Sequence, residues 1–197
     1  MRPLEFWFEF ASTYSYLAVE RIGELAAKAG VKVVWRPFLL GPIFNSQGWN
    51  NSPFNIYPAK GAYMWRDMER LTAEYGLKLR RPSAFPRNGL LAARIALAHD
   101  EQPWIGNFVR AVYRANFAED REISDPAVIG DILKALQLDL GAIFDAASAD
   151  ANKARLKAQT ERAIQLGLFG APSFTIGEEL FWGNDRLEQA LDFARRN

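Results

Sequence analysis

Large apolar side chains recur at every second position from Leu4 through Phe6, Phe8 and Phe10, the period of a strand, and Trp7 between them implies a second covered face. The alternation breaks at Ala11-Ser12-Thr13-Tyr14. Beyond the break Leu17, Ile22, Leu25 and Ala29 approximate a helical stripe, and Gly30 stands where a helix-ending residue belongs, so the pattern predicts a helix over 14–29. Residues 31–35, VKVVW, return to strand character until Pro37 stops it. Two strands joined by such a helix pair in parallel with a right-handed crossover. From Gly41 to about residue 150 strand patterning disappears. The stretch GPIFNSQGWNNSPFNIYP is too rich in Gly, Asn and Pro, and too long, for an ordinary connection, which marks it as a functional loop. Helical periodicity follows over 60–75, 88–99, 104–117, 126–136 and 140–147, with no internal repeat.

Past a further helix over 155–166, strand character resumes at 173–176 and 180–182 around a turn at Gly177-Glu178. A last helix opens near Asn184-Asp185 and turns Leu187, Ala190, Leu191 and Ala194 inward. The order β-α-β, helical stretch, α-β-β-α predicts an α/β fold. It is a thioredoxin-like domain built from residues 1–40 and 150–197 and split by a large all-helical insertion, residues 41–149.

Composition narrows the function. With 197 residues, 49% of them hydrophobic, the chain can bury a core and is not disordered. No apolar run approaches the roughly 20 residues of a membrane span, so no membrane partner is expected. The opening MRPLEFWFEF carries Glu5 and Glu9 and no small-residue cleavage site, which makes the cytoplasm the expected location. A net charge of +1 with interspersed signs gives no footprint for nucleic acid. The chain has no cysteine, which excludes a disulfide, a thiolate metal site and a CxxC centre; any thiol chemistry must use a borrowed thiol. The single histidine, His99, lies in a predicted helix, and no G-x-S-x-G motif occurs, so neither a metal site nor a serine hydrolase is expected.

Ser12 sits at the first strand-to-helix junction, where it either caps the helix or does chemistry, and Ser15 could take over the capping. Pro172, in GAPSF, opens a strand and reads by itself as an edge device. Lys60 begins a helix, where a cation opposes the dipole unless an anion faces it; a solvated lysine is the plain alternative. Asn51 reads as a turn residue, and Asn184 and Asp185 as helix-opening caps. Tyr63, Arg87 and Asn88 are candidate substrate contacts, equally readable as packing or solvent-facing residues. Phe44, Trp49, Trp65 and Trp104 suit an aromatic ligand or a core.

The segments EFASTYSYLA, FGAPSF and FWGNDRL, with NSPFNIYPAKGAYMWRD between them, agree in order and spacing with one family. Over essentially its whole length the chain resembles the glutathione-dependent 2-hydroxychromene-2-carboxylate isomerases and their relatives, the kappa-class glutathione transferases. The resemblance implies reduced glutathione as cofactor, a small aromatic carboxylate as substrate and a homodimer. It gives Ser12 the task of hydrogen-bonding the glutathione sulfur in place of a catalytic cysteine. It makes Pro172 a cis-proline that turns the Ala171 backbone toward the cysteinyl part, and assigns the γ-glutamyl end to Asn184 and Asp185. Lys60 takes the glycyl carboxylate, with Asn51 beside it. Three positions depart from the family pattern: Thr13 for proline, Asn50 for glycine and Phe54 for a second proline. The last two lie where the second substrate is walled. A transferase that releases the conjugate and a non-catalytic glutathione-binding protein remain the alternatives.

Overall fold

The computed structural model describes residues 2–197. Strand β1 (Leu4–Phe8) lies inside a four-stranded sheet of order β2-β1-β3-β4, with β2 Val33–Pro37, β3 Ser173–Ile176 and β4 Glu179–Trp182. β1 runs parallel to β2, Leu4 opposite Val33 and Phe8 opposite Pro37, and antiparallel to β3, Trp7 opposite Ser173. The expected turn at Gly177 closes β3 onto β4, and its φ of 61° suits a residue without a side chain.

Both faces of β1 are covered. Leu4, Phe6 and Phe8 enter the main core, whereas Trp7 enters a second cluster with Phe38, Leu40, Ile43, Ala163 and Leu168. Glu5, on the Trp7 face, is paid for by partners: Arg36 and Arg162 bind its carboxylate, and Thr175 Oγ1 bridges it to the Trp7 indole N–H. Burial works against its ionisation, yet the two guanidinium groups hold it below its ordinary value.

The strand ends two residues before the alternation does. Tyr113 Oη donates to the Glu9 carbonyl at 2.7 Å and Asn116 Nδ2 to the Phe10 carbonyl at 3.1 Å, so the helix over Ile105–Phe117 takes the groups that a longer ladder needs. Helix α1 (Thr13–Ala29) ends as expected at Gly30, whose φ of 68° lets its N–H reach back to the Ala26 and Ala27 carbonyls. That turn uses Val31, and β2 therefore starts at Val33.

The Asn- and Pro-rich stretch, expected as loop, contains two short helices, α2 (Leu40–Ser46) and α3 (Pro53–Ile56), the latter capped by Ser52 and started by proline. Helices α4 (Pro58–Glu74), α5 (Leu90–Ala98), α6 (Ile105–Phe117), α7 (Pro126–Ala135) and α8 (Leu140–Ser148) follow close to the predicted bounds. Helix α9 (Asp150–Gln165) begins five residues before its apolar stripe, because buried Asn152 anchors that first turn to the Arg94 carbonyl. After a 3-10 turn at Asn184–Arg186, α10 (Leu187–Arg196) buries the four predicted side chains. One core runs unbroken from Phe6 and Trp35 into Ile95, Val109 and Ile129 of the helical stretch.

The junction between sheet and helical stretch is tight at Gly89, where an added Cβ falls 2.5 Å from the Phe10 Cβ. Gly89→Ala is expected to destabilise the protein by about 1–3 kcal/mol. Gly41→Ala, with open space around it, is expected to change stability by less than about 1 kcal/mol; urea unfolding of both variants checks the contrast.

Candidate functional site

Ser12 is both a cap and a cavity residue. Its backbone is extended (φ −76°, ψ 118°), and its Oγ accepts the Ser15 N–H at 3.2 Å, which settles the capping in favour of Ser12. Ser15 supplies the N–H, and its own hydroxyl is buried without a partner. The Ser12 hydroxyl proton points the other way, to the Ala171 carbonyl at 2.8 Å. Ala171–Pro172 is a cis bond, and the loop around it is held by Ser173 Oγ on the Gly170 carbonyl and by the Gly183 N–H on the Pro172 carbonyl.

These groups border a cavity of about 1040 Å³ between the sheet end and helices α2 to α4. Phe44, Trp49 and Phe54 line one side; Phe169 and Trp182, whose rings lie 4.9 Å apart, line the other. A mostly apolar, aromatic-walled surface with polar side chains set into it is the usual form of a small-molecule site. Phe44 and Trp49 thus belong to the cavity, whereas Trp65 packs on Phe85 and Trp104 on Phe108.

The cavity brings together Ser12, Asn51, Lys60, Tyr63, Arg87, Asn88, Ala171, Asn184 and Asp185, drawn from five separate parts of the chain. Lys60 lies in the first turn of α4 with its Nζ 6.0 Å from the Phe54 ring centre. Asn51 Oδ1 accepts from the Ser52 N–H and from Asn55, leaving its amide protons for a ligand. Asn184 is buried, its Oδ1 taken by Arg21 at 2.9 Å and its Nδ2 donating to the Tyr75 hydroxyl at 3.4 Å. Asp185 is exposed, with Arg186 at 3.9 Å. Tyr63 stands 62% exposed at the mouth.

Arg87 also borders the cavity, with its guanidinium committed to a set of protein partners. Its guanidinium is buried and bonded to Asp120, Ser83, Asn116 and the Arg121 carbonyl, none of which lines the cavity. It braces the turn that precedes α5, and a sequence gives no sign of this because the partners lie about thirty residues away.

Two features went unseen in the sequence. Tyr14 Oη donates to Asp67 at 2.9 Å across the cavity wall, and burial, then Asp67, push the phenol up. Glu9 lines the cavity floor, its Oε2 accepting the Ala11 N–H at 3.1 Å. Burial pushes the Glu9 carboxyl up to about 7, the Ala11 bond pulling weakly the other way. The signal was available, an acidic residue three positions before Ser12 in an aromatic strand.

The family model of the DSBA-like thioredoxin domain matches residues 3–194. The 2-hydroxychromene-2-carboxylate isomerase of Pseudomonas sp. (strain C18) is 31% identical over 189 residues, covering 93% of this chain and 86% of that protein. The chain belongs to the DSBA-like thioredoxin family, among the 2-hydroxychromene-2-carboxylate isomerases and their relatives. A solved structure of such an isomerase superposes with a TM-score of 0.87 at 25% identity, covering 98% of this chain and 94% of that one. Glutathione S-transferase kappa 1 of Caenorhabditis elegans is 23% identical, over 98% of this chain and 91% of its own. The fold is thus thioredoxin-like with a helical insertion, in a family member that has no cysteine of its own. Among the described residues no helix is long and apolar enough to cross a membrane, and no cluster of metal-ligating side chains occurs.

The buried carboxyl gives this site a pH signature. A folded-state value pushed up to about 7, above the ordinary carboxylate range, means that protonated Glu9 favours the fold. The contribution is full below about pH 4.5 and is lost as pH rises through about 7. Glu9→Gln, uncharged throughout, is expected to gain stability relative to the parent between about pH 5 and about pH 8. Thermal melts at the two pH values check this, and a constant difference contradicts it.

Proposed function

We propose that the protein is an enzyme that uses reduced glutathione to isomerise a small conjugated aromatic carboxylate, interconverting 2-hydroxychromene-2-carboxylate and trans-o-hydroxybenzylidenepyruvate or a closely related pair. The carrying observation is the Ser12 hydroxyl, held at the start of α1 against the Ala171 carbonyl and bordering an aromatic cavity, in a chain without a thiol. The donor set fits a zwitterionic thiol tripeptide: a hydroxyl and a helix start for sulfur, Lys60 for a carboxylate, Asp185 for an ammonium. When bound, glutathione supplies a thiolate that adds reversibly to a conjugated double bond and so lets it rotate.

The chain's own groups do the rest. Ser12 turns its proton from the Ala171 carbonyl to the sulfur, and with the α1 N-terminus favours the anionic form; each unit of thiol pKa depression needs about 1.4 kcal/mol. The Ala171 backbone pairs with the extended tripeptide, the cis-Pro172 loop setting its direction, while Asn51 and the Asn184 backbone hold its ends. Phe44, Trp49, Phe169 and Trp182 exclude water around the substrate ring, with Tyr63 and Asn88 at the mouth. The same resemblance carries a homodimer, open to a sizing measurement. A transferase that releases the conjugate is the second reading, favoured by the full-length match to a kappa transferase.

Reduced glutathione at a hundredfold excess over its dissociation constant is expected to stabilise the protein by about 2.7 kcal/mol, read as a melting shift. Following the two isomers by absorbance while titrating free thiol separates the readings: constant thiol marks the isomerase, steady loss the transferase. Ser12→Ala is expected to lose about 1 kcal/mol of stability with the cap, but about tenfold to a hundredfold in turnover at neutral pH, partly recovered as pH rises. Full activity in that variant reduces Ser12 to a cap.

A further inference from the structure

The reading above leaves one half-buried acid of the cavity, Glu9, without a task. Glu9 follows β1 in the turn to α1, where its carbonyl accepts the Ser12 N–H at 2.9 Å and the Tyr113 hydroxyl at 2.7 Å. Its Oε2 accepts the Ala11 N–H at 3.1 Å. This fold-back brings the Glu9 side chain and Ser12 to the same cavity, and Oε1 has no hydrogen-bond partner among the described residues. The groups around it are mostly uncharged: Ser12 and Ser15 from α1, and the Tyr113 phenol from α6, which Glu9 helps push up. None of the cavity's other charged side chains, Lys60, Asp67, Arg87, Asp185 or Arg186, forms an ion pair with it, Arg87 being paired with Asp120 and Glu122.

A hydroxyl and a helix start can stabilise a sulfur anion, but neither can take the proton that the thiol must lose. A bare loss to water would also leave two anions, thiolate and Glu9 carboxylate, in one apolar enclosure, and like charges in low dielectric repel strongly. We propose that Glu9 is the proton acceptor for the ligand thiol, a role that rests on the reading of the cavity as a glutathione site. As the ligand docks, its S–H bond breaks, an O–H bond forms on a Glu9 carboxylate oxygen, and the electron pair stays on sulfur. Glu9 returns the proton when the thiol leaves. The cavity's charge is unchanged by this exchange, and a carboxyl that titrates about 7 is matched to a thiol near neutrality.

The test counts protons rather than turnover. Glutathione is titrated calorimetrically into the protein at about pH 8 in two buffers of different ionisation enthalpy, while ultraviolet absorbance reports thiolate. The parent is expected to form thiolate with almost no proton released. Glu9→Gln, whose side-chain oxygen can still accept the Ala11 N–H, is expected to release about one proton for each thiolate formed. Glu9→Asp, which restores an acid, is expected to return the balance toward zero and serves if the glutamine variant folds poorly. Equal proton release by parent and Glu9→Gln, with glutathione bound in both, overturns the role of Glu9 alone. Failure of the parent to bind glutathione overturns this inference together with the reading on which it rests.

Discussion

The Ser12 hydroxyl makes two hydrogen bonds, accepting from the Ser15 N–H and donating to the Ala171 carbonyl, and they join the helix start to a loop 159 positions away. The first is local to the helix start; the second depends on sheet order. β3 runs antiparallel to β1, so the end of one strand meets the start of the other, with Trp7 opposite Ser173. The pairing is locked from the side by Trp7 on Thr175 and by Glu5 between Arg36 and Arg162. A misplaced β3 would separate Ser12 from Ala171 and open the cavity floor. The hydroxyl proton rests on a neutral carbonyl, a modest bond that a charged acceptor exceeds, since hydrogen bonds to ions are roughly twice as strong.

How much of this was readable in advance depended on distance along the chain. The α1 stripe, its Gly30 ending and the inward face of α10 are set by residues within a few turns of one another, and the sequence displays them directly. The end of β1 is set by Tyr113 and Asn116, more than a hundred positions away, and the start of α9 by a contact to Arg94; no local pattern carries either. In the site, Ser12, Lys60, Ala171 and Asp185 were found through motif resemblance, and all of them border the cavity. Arg87, a candidate contact equally readable as packing, borders the cavity as well and also braces the turn before α5 through buried partners that no local pattern shows. Glu9 was passed over because alternation made it one more polar position on a strand, whereas its surroundings make it a weakly ionised acid.

Taken together, the family's fold and the absence of cysteine describe a division of labour. The domain keeps the strand-to-helix junction at which thioredoxin-like proteins present sulfur, but here it offers a hydroxyl, and on the proposed reading the sulfur arrives with the ligand. That arrangement asks more of the surroundings than a resident thiol does. The tripeptide must be held at both ends, which Lys60 and Asp185 are positioned to do, and its thiol must be ionised after binding rather than before. The aromatic walls add a dry space in which a conjugated ring can turn.

The most direct measurement is the pKa of the thiol of glutathione bound to the protein, read from thiolate absorbance across pH and compared with the free tripeptide. A free thiol titrates near 8.5. The account predicts that the bound thiol titrates at least about one unit lower, and that Ser12→Ala returns it most of the way to the free value. A bound thiol that titrates at or above the free value, with Ser12 intact, contradicts it.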